Sequence, residues 1–281
     1  MVARKILRKY SVYAKKGGVY KTTLVQNLSG IASVFKGQNT LLVERDFQGN
    51  LGLAFGVNSD NVEATFSDYM LGKSSLENAT INLYENIDGI LDNDYAIFLE
   101  NRMKEEGIDI EERFLTVIDE IEKTGKYDNI IFDLPARQDM LSALVFNNVD
   151  KLIIPFELAP YGVDGVVKVL RDINNFKDTN DKLEIAGIVP VKGRRTKVNK
   201  QMIDQGKMIF PIVGSKFKNL EITDTTIPTS TLYDEAIVDY GRPLVFLDIE
   251  SMTVKKDREK YQKQIDLYRE LAIELGVIDG E

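Results

Sequence analysis

Neither cysteine nor histidine occurs anywhere in the 281 residues. Without thiols there can be no disulfides, thiolate nucleophiles or iron–sulfur clusters, and without imidazoles there are no His/Cys zinc sites and no imidazole bases. Any chemistry must rest on carboxylates, lysines, hydroxyls, backbone amides and a hard cation such as Mg²⁺. Also missing is a run of about 20 uninterrupted apolar residues of the kind that crosses a bilayer. The opening MVARKILRKYSVYAKKGG lacks the long apolar centre of a secretory signal. A cytoplasmic protein without membrane contact is therefore expected.

What is present suits a globular enzyme or binding protein. Hydrophobic residues make up 43% of the chain, enough to fill a sizeable core. The net charge of −8 argues weakly against nucleic acid as a partner, but its distribution is uneven. Between Lys192 and Lys218 eight basic residues face a single acid, Asp204. Such asymmetry is the footprint of a surface that binds a phosphate backbone, or else of a solvated basic face without a partner.

Apolar, β-branched runs recur at Tyr10–Ala14, Thr40–Val43, Asn129–Phe132, Leu152–Pro155, Glu184–Val189 and Leu244–Leu247. They are continuous rather than alternating, as strands buried on both faces are. Helical faces lie between them: Leu24, Leu28, Ile31, Ala32 and Phe35 form one, and Tyr261, Ile265, Tyr268, Leu271, Ala272 and Leu275 another. The expected fold is α/β, a mostly parallel twisted sheet with helices on both faces. A single domain over residues 1–281 is expected, with a helical, charge-rich insertion at about 59–126 and a carboxyl-terminal helix at about 255–275.

The stretch KKGGVYKTT, Lys15 to Thr23, follows one such strand and opens a helix. In that setting successive backbone N–H groups and the helix N-terminus can hold a polyphosphate. Gly17 and Gly18 allow close backbone approach, Lys21 would neutralise β/γ-phosphate oxygens, and the Thr22 hydroxyl would reach Mg²⁺. A chance Gly-Gly turn between surface lysines is the competing reading. Six specified positions, each at a typical frequency of about 5–10%, make it improbable. One position breaks the usual rule, since Tyr20 stands where the common G-x-x-x-x-G-K-[ST] loop has glycine. A negative φ at Tyr20, with the ring turned away from the phosphates, would accommodate it, and Tyr20→Gly would then leave nucleotide binding intact. Two further strands end in acids, at Asp46 and Asp133, and would bring both carboxylates to the sheet edge where ligands of open α/β folds bind. Either Asp taken alone reads more simply as a turn residue.

KGGxxKTT resembles the deviant Walker A motif of the ParA/MinD ATPases. LLVERDFQGN (Leu41 to Asn50) is similar to that family's LLVDxDPQGN, and YDNIIFDLPAR (Tyr127 to Arg137) to its YDxIIIDTPP. Thr225 to Ser251 resembles its IPRSxxxxEAxxxGKPIxxYDxxS stretch. The likeness runs from about Lys16 to Leu275 and is weakest at 59–126. It implies an ATPase with ATP and Mg²⁺ as cofactors. Lys16 becomes the signature lysine that reaches the partner's phosphates in an ATP-sandwich homodimer. Lys16, Gly17, Gly18, Val19, Tyr20, Lys21, Thr22 and Thr23 would bind nucleotide, with Pro228 against the adenine. The resemblance assigns Lys16, Lys21 and Asp46 to catalysis, with Asp46 positioning water. Thr22, Asp133 and, through water, Glu44 are assigned to the metal, and Gln48, Gly49 and Asn50 to the γ-phosphate switch.

Composition narrows the family. The nitrogenase iron protein, iron–sulfur carriers and arsenite pumps need cysteines. The acidic ending ELAIELGVIDGE lacks the basic amphipathic helix by which MinD docks on membranes. The implied function is that of a short ParA of the Soj type: an ATP-bound dimer binds DNA without sequence preference, and a centromere-binding ParB-like protein stimulates slow hydrolysis, so that plasmid or chromosome is segregated. Arg194, Arg195, Lys197 and Lys200 are the DNA-binding candidates, and the ATP state would be nucleoid-associated. An ATP-gated scaffold or regulator with negligible hydrolysis, or a MinD-like positioning ATPase, are the alternatives. Departures from the motifs are Glu44 for the first Asp of DxD, Arg45 beside it, Phe47 for proline, Thr229 for an arginine and a missing second proline in DLPAR.

Overall fold

The structure, a computed structural model, describes residues 7–46, 48–194 and 196–280. β1 (Arg8–Val12) leads through the glycine loop into α1 (Lys21–Lys36), then β2 (Thr40–Glu44) and the one-turn α2 (Asn50–Leu53). α3 (Phe66–Met70) and α4 (Leu76–Ala79) precede a hairpin of β3 (Ile81–Tyr84) and β4 (Ile87–Ile90), followed by α5 (Leu99–Glu105) and α6 (Ile110–Thr124). β5 (Asn129–Asp133), α7 (Met140–Asn148), β6 (Lys151–Glu157), α8 (Gly162–Phe176), β7 (Glu184–Gly193) and α9 (Lys197–Val213) continue the strand–helix alternation. The short β8 (Ile227–Pro228), α10 (Leu232–Tyr240) and α11 (Lys255–Glu274) complete it.

Among the described residues the strands form one eight-stranded sheet in the order β3-β4-β2-β5-β1-β6-β7-β8. Only the β3–β4 pair is antiparallel. The expected α/β class is thus what the chain forms. Side chains alternate between two cores, which explains the unbroken apolar runs. Leu41, Val43, Ile130 and Phe132 face one core with α6 to α9. Leu42, Ile131, Val12 and Ile153 face the other, where α1, α10 and α11 pack. From β1 the chain crosses to β2 on one side, and later to β6 on the other. The crevice at the carboxyl ends of these strands is where open α/β sheets bind ligands.

Three sequence expectations need correction. Leu244–Leu247 is not a strand: Leu244–Phe246 is a buried 3₁₀ turn after Pro243, packed against Gly30 of α1. A short apolar run does not by itself distinguish a strand from any other buried segment. The stretch at 59–126 is helical in α3 to α6 but also supplies β3 and β4, and β4 pairs with β2 inside the main sheet. Phe35, placed on the inner face of α1, is 40% exposed and lies under the Arg269 guanidinium. The face expected on α11 is buried as read, from Tyr261 to Leu275.

Candidate functional site

The site begins at the loop between β1 and α1. Gly18 has φ +69 and opens the turn. Tyr20 stands at the N-cap of α1 with φ 61, and no side chain caps the helix. Its first N–H groups are therefore left available to an anionic ligand. The negative φ expected of Tyr20 is wrong. Left-handed backbone costs a residue with a Cβ about 1 kcal/mol or more, and packing of the ring opposes that strain. The ring meets Tyr233 edge-on at 5.4 Å, and the Lys192 ammonium lies 5.5 Å from its centroid.

Lys21, at the first position of α1, is buried. Next to it the Thr22 hydroxyl donates to Asp133 Oδ2 at 2.6 Å, tying the loop to the end of β5. The parallel register sets Glu44 of β2 directly beside Asp133. Glu44 Oε1 accepts the Leu51 N–H at 2.6 Å, whereas Glu44 Oε2 and Asp133 Oδ1 are buried without a hydrogen-bond partner. Burial drives both carboxyls up, Glu44 to about 9 and Asp133 to about 7, against the pull of the Leu51 amide on the first and of Thr22 and Lys21 on the second. Asp46 adds its negative charge to both from the following loop, where its Oδ1 accepts the Gln48 N–H and Gly49 (φ 64) turns the chain into α2.

Two buried carboxylate oxygens without donors, beside a hydroxyl, form an all-oxygen set that fits a hard cation. Among the described residues no three acids cluster as a metal cage. Magnesium suits such a site because it keeps waters and phosphate oxygens and needs only one or two protein carboxylates. Residues 17 to 23, Asp46, Gln48 and Asn50 line one cavity of about 900 Å³ with Pro135, Arg137, Asp234 and Ile237. The structure thus brings the loop, Asp46 and the 48–50 turn together.

Pro228 does not line that cavity. It borders a neighbouring one of about 1040 Å³, together with Arg194, Lys197 and Lys200. The last two lie in the first turn of α9, and all three are exposed. Arg195, a fourth basic candidate, lies outside the described residues, as does Phe47. Lys16 is exposed and pairs with Glu157 at the end of β6.

Similarity to known proteins agrees with this geometry. A family model described as an AAA domain matches residues 7–185. The sporulation initiation inhibitor protein Soj of Bacillus subtilis is 26% identical over 261 residues, 92% of this chain and 95% of its own length. The chromosome partitioning protein ParA of Caulobacter vibrioides is 25% identical over 255 residues, covering 86% and 88%. The chain belongs to the ParA/MinD group of this AAA-domain family. Solved structures share the fold: cobyrinic acid a,c-diamide synthase of Mycobacterium smegmatis with bound ATP analog and magnesium has a TM-score of 0.73 at 22% identity, over 95% of this chain and 93% of that one. The septum site-determining protein MinD of Pyrococcus horikoshii, complexed with Mg-ADP, has 0.64 at 21% identity, over 96% of each chain.

For a ParA/MinD member, two residues near the loop were not read from the sequence as site residues. Glu157 lies between Lys16 and Lys192, the latter 3.3 Å from its Oε1. Burial pushes the Glu157 carboxyl up, but the two ammonium groups outweigh it and hold it below its ordinary value. The signal available was an acid ending an apolar strand, PFE, as at Asp133. Among the described residues no helix is long and apolar enough to cross a membrane.

Proposed function

We propose that the chain is a ParA-type partition ATPase whose ATP- and Mg²⁺-bound dimer holds DNA without sequence preference and releases it after hydrolysis stimulated by a ParB-like, centromere-binding partner. The observation that carries the reading is the Thr22–Asp133 hydrogen bond beside buried Lys21, with Asp46 at the same cavity. Uncapped N–H groups of α1 and Lys21 bind and orient the phosphates. Thr22, Asp133 and, through water, Glu44 hold the cation, which when bound neutralises charge developing on the transferred phosphoryl group. Asp46 orients the attacking water. Lys16 leaves Glu157 to reach the partner's phosphates. Pro228 packs against the base, and Arg194, Arg195, Lys197 and Lys200 contact the DNA backbone, placing the ATP state on the nucleoid. A switch with negligible turnover is the second reading, favoured by Lys16 being paired within its own chain.

Phosphate release, with and without nonspecific DNA and a partner from the same partition system, separates the two. Asp46→Ala is expected to lower kcat by about 10²-fold or more with nucleotide affinity retained. Background turnover in every mixture, unchanged in the variant, would leave only the switch. Neutralising Arg194, Arg195 and Lys197 together is expected to weaken ATP-dependent DNA binding about 10-fold or more at low salt and to flatten its salt dependence. An unchanged DNA affinity would remove those residues from the interface.

A further inference from the structure

Two non-glycine residues with left-handed backbone touch each other beside the phosphate loop. They are Tyr20 (φ 61) and Lys192 (φ 56), and neither conformation is cheap for a residue with a Cβ. Strain of this kind is concentrated at functional sites. At Lys192 the β7–β8 register slips, Val191 pairing with Ile227 and Gly193 with Pro228, and such irregularities re-aim a side chain. Lys192 accordingly projects to the loop. Its Nζ lies 4.0 Å from where a Cβ on Gly18 would stand, and 5.5 Å from the centroid of the Tyr20 ring. Glu157 accepts from Lys192 and from Lys16 alike, so that two ammonium groups share one carboxylate at the rim of the loop. An incoming polyphosphate would meet both.

We propose that Lys192 is a second phosphate-binding lysine supplied by the same chain as the loop, seated on the face of Tyr20, and that its ligand is the polyphosphate of a nucleoside triphosphate. Tyr20 and Lys192 then form one unit: the ring that replaces the usual glycine is the platform for the extra cation. The proposal rests on the nucleotide reading of the loop.

Calorimetric titration of the full chain with ATP and with ADP, both with Mg²⁺, tests it. Lys192→Met is expected to weaken ATP about 10-fold, the size of a lost charge-assisted contact, and ADP less. Lys192→Arg is expected to retain most of the affinity. Tyr20→Gly, which relieves the backbone but removes the platform, is expected to weaken ATP about 3-fold alone and not at all in the Lys192→Met background. Unchanged ATP affinity in Lys192→Met, or an equal loss in Lys192→Arg, would overturn the role of Lys192. If Lys21→Ala abolishes binding at the same time, the nucleotide reading itself stands. No binding of ATP or ADP by the unaltered chain would remove both.

Discussion

Replacing Arg45 with methionine is expected to lower the unfolding free energy by about 3–5 kcal/mol at pH 8, the loss typical of breaking a buried ion pair on one side. Arg45 stands inside the motif that carries Glu44 and Asp46, but it does not line the cavity and its side chain is 3% exposed. NH1 donates to Asp92 Oδ2 at 2.8 Å, NH2 lies 3.7 Å from Asp139, and the guanidinium sits over the Phe66 ring. Asp92, fully buried two residues beyond β4, also accepts from the Ser67 hydroxyl and amide. Burial pushes its carboxyl up and Arg45 pulls it down. Without Arg45 only the hydrogen bonds from Ser67 and Asn93 oppose the upward push, so the folded variant holds a proton on Asp92 to higher pH than the unfolded chain does. Stability from that proton is present below the unfolded value, near 3.9, and is lost as pH rises. The deficit of Arg45→Met should therefore be smaller at pH 5 than at pH 8 in urea titrations. Asp92→Asn on the same background should recover most of it. Equal stability of Arg45→Met and the unaltered chain at pH 8 would show that the pair contributes nothing.

Arg45 also marks where legibility stopped. Strand-ending acids, paired glycines and the Lys-Thr step are local patterns, so the sheet, the loop and the edge carrying Asp133 could be read from the chain one segment at a time, although β2 ends at Glu44 and leaves Asp46 in the following loop. The register that sets Glu44 against Asp133 follows from two parallel strands of similar length entering the same edge. The partners of Arg45 lie 47 and 94 residues away, in segments whose sequence carries no motif, and nothing local announces them. The same holds for Lys192, whose direction depends on a register slip against a two-residue strand. Tyr20 departs from expectation for a different reason. A negative φ is what the rule for residues with a Cβ gives, and contacts with Tyr233 and Lys192, both more than 170 positions distant, outweigh that rule. Local preference is a weak prior wherever tertiary packing supplies a kilocalorie or two.

The second large effect concerns Glu44. In the absence of nucleotide and Mg²⁺, the protein is expected to lose about 2 kcal/mol of stability between pH 7 and 8.5, and Glu44→Gln should remove most of that loss. The Glu44 carboxyl is fully buried and pushed up to about 9, first by desolvation and then by Asp133, Asp92 and Asp46. An unfolded glutamate titrates near 4.3. Between those values the native state holds a proton that the unfolded state has released, so stability falls with rising pH by about 1.4 kcal/mol per unit. Asp133, raised to about 7, contributes the same sign of slope but mainly below pH 7. Glu44 therefore dominates the window from 7 to 8.5. Glutamine keeps a carbonyl for the Leu51 N–H and carries no titrating proton. Urea unfolding of both proteins at pH 7 and 8.5 reads the difference directly, and parallel slopes would mean that Glu44 is ionised in the folded state at neutral pH. The same protons oppose a cation, because carboxylates must be deprotonated to hold one. With Mg²⁺ and nucleotide present, the unaltered chain should lose less stability over this interval than it does without them. Burial of Glu44 thus keeps a proton where a bound cation would need a charge, and nucleotide-dependent stabilisation is expected to be strongest at alkaline pH.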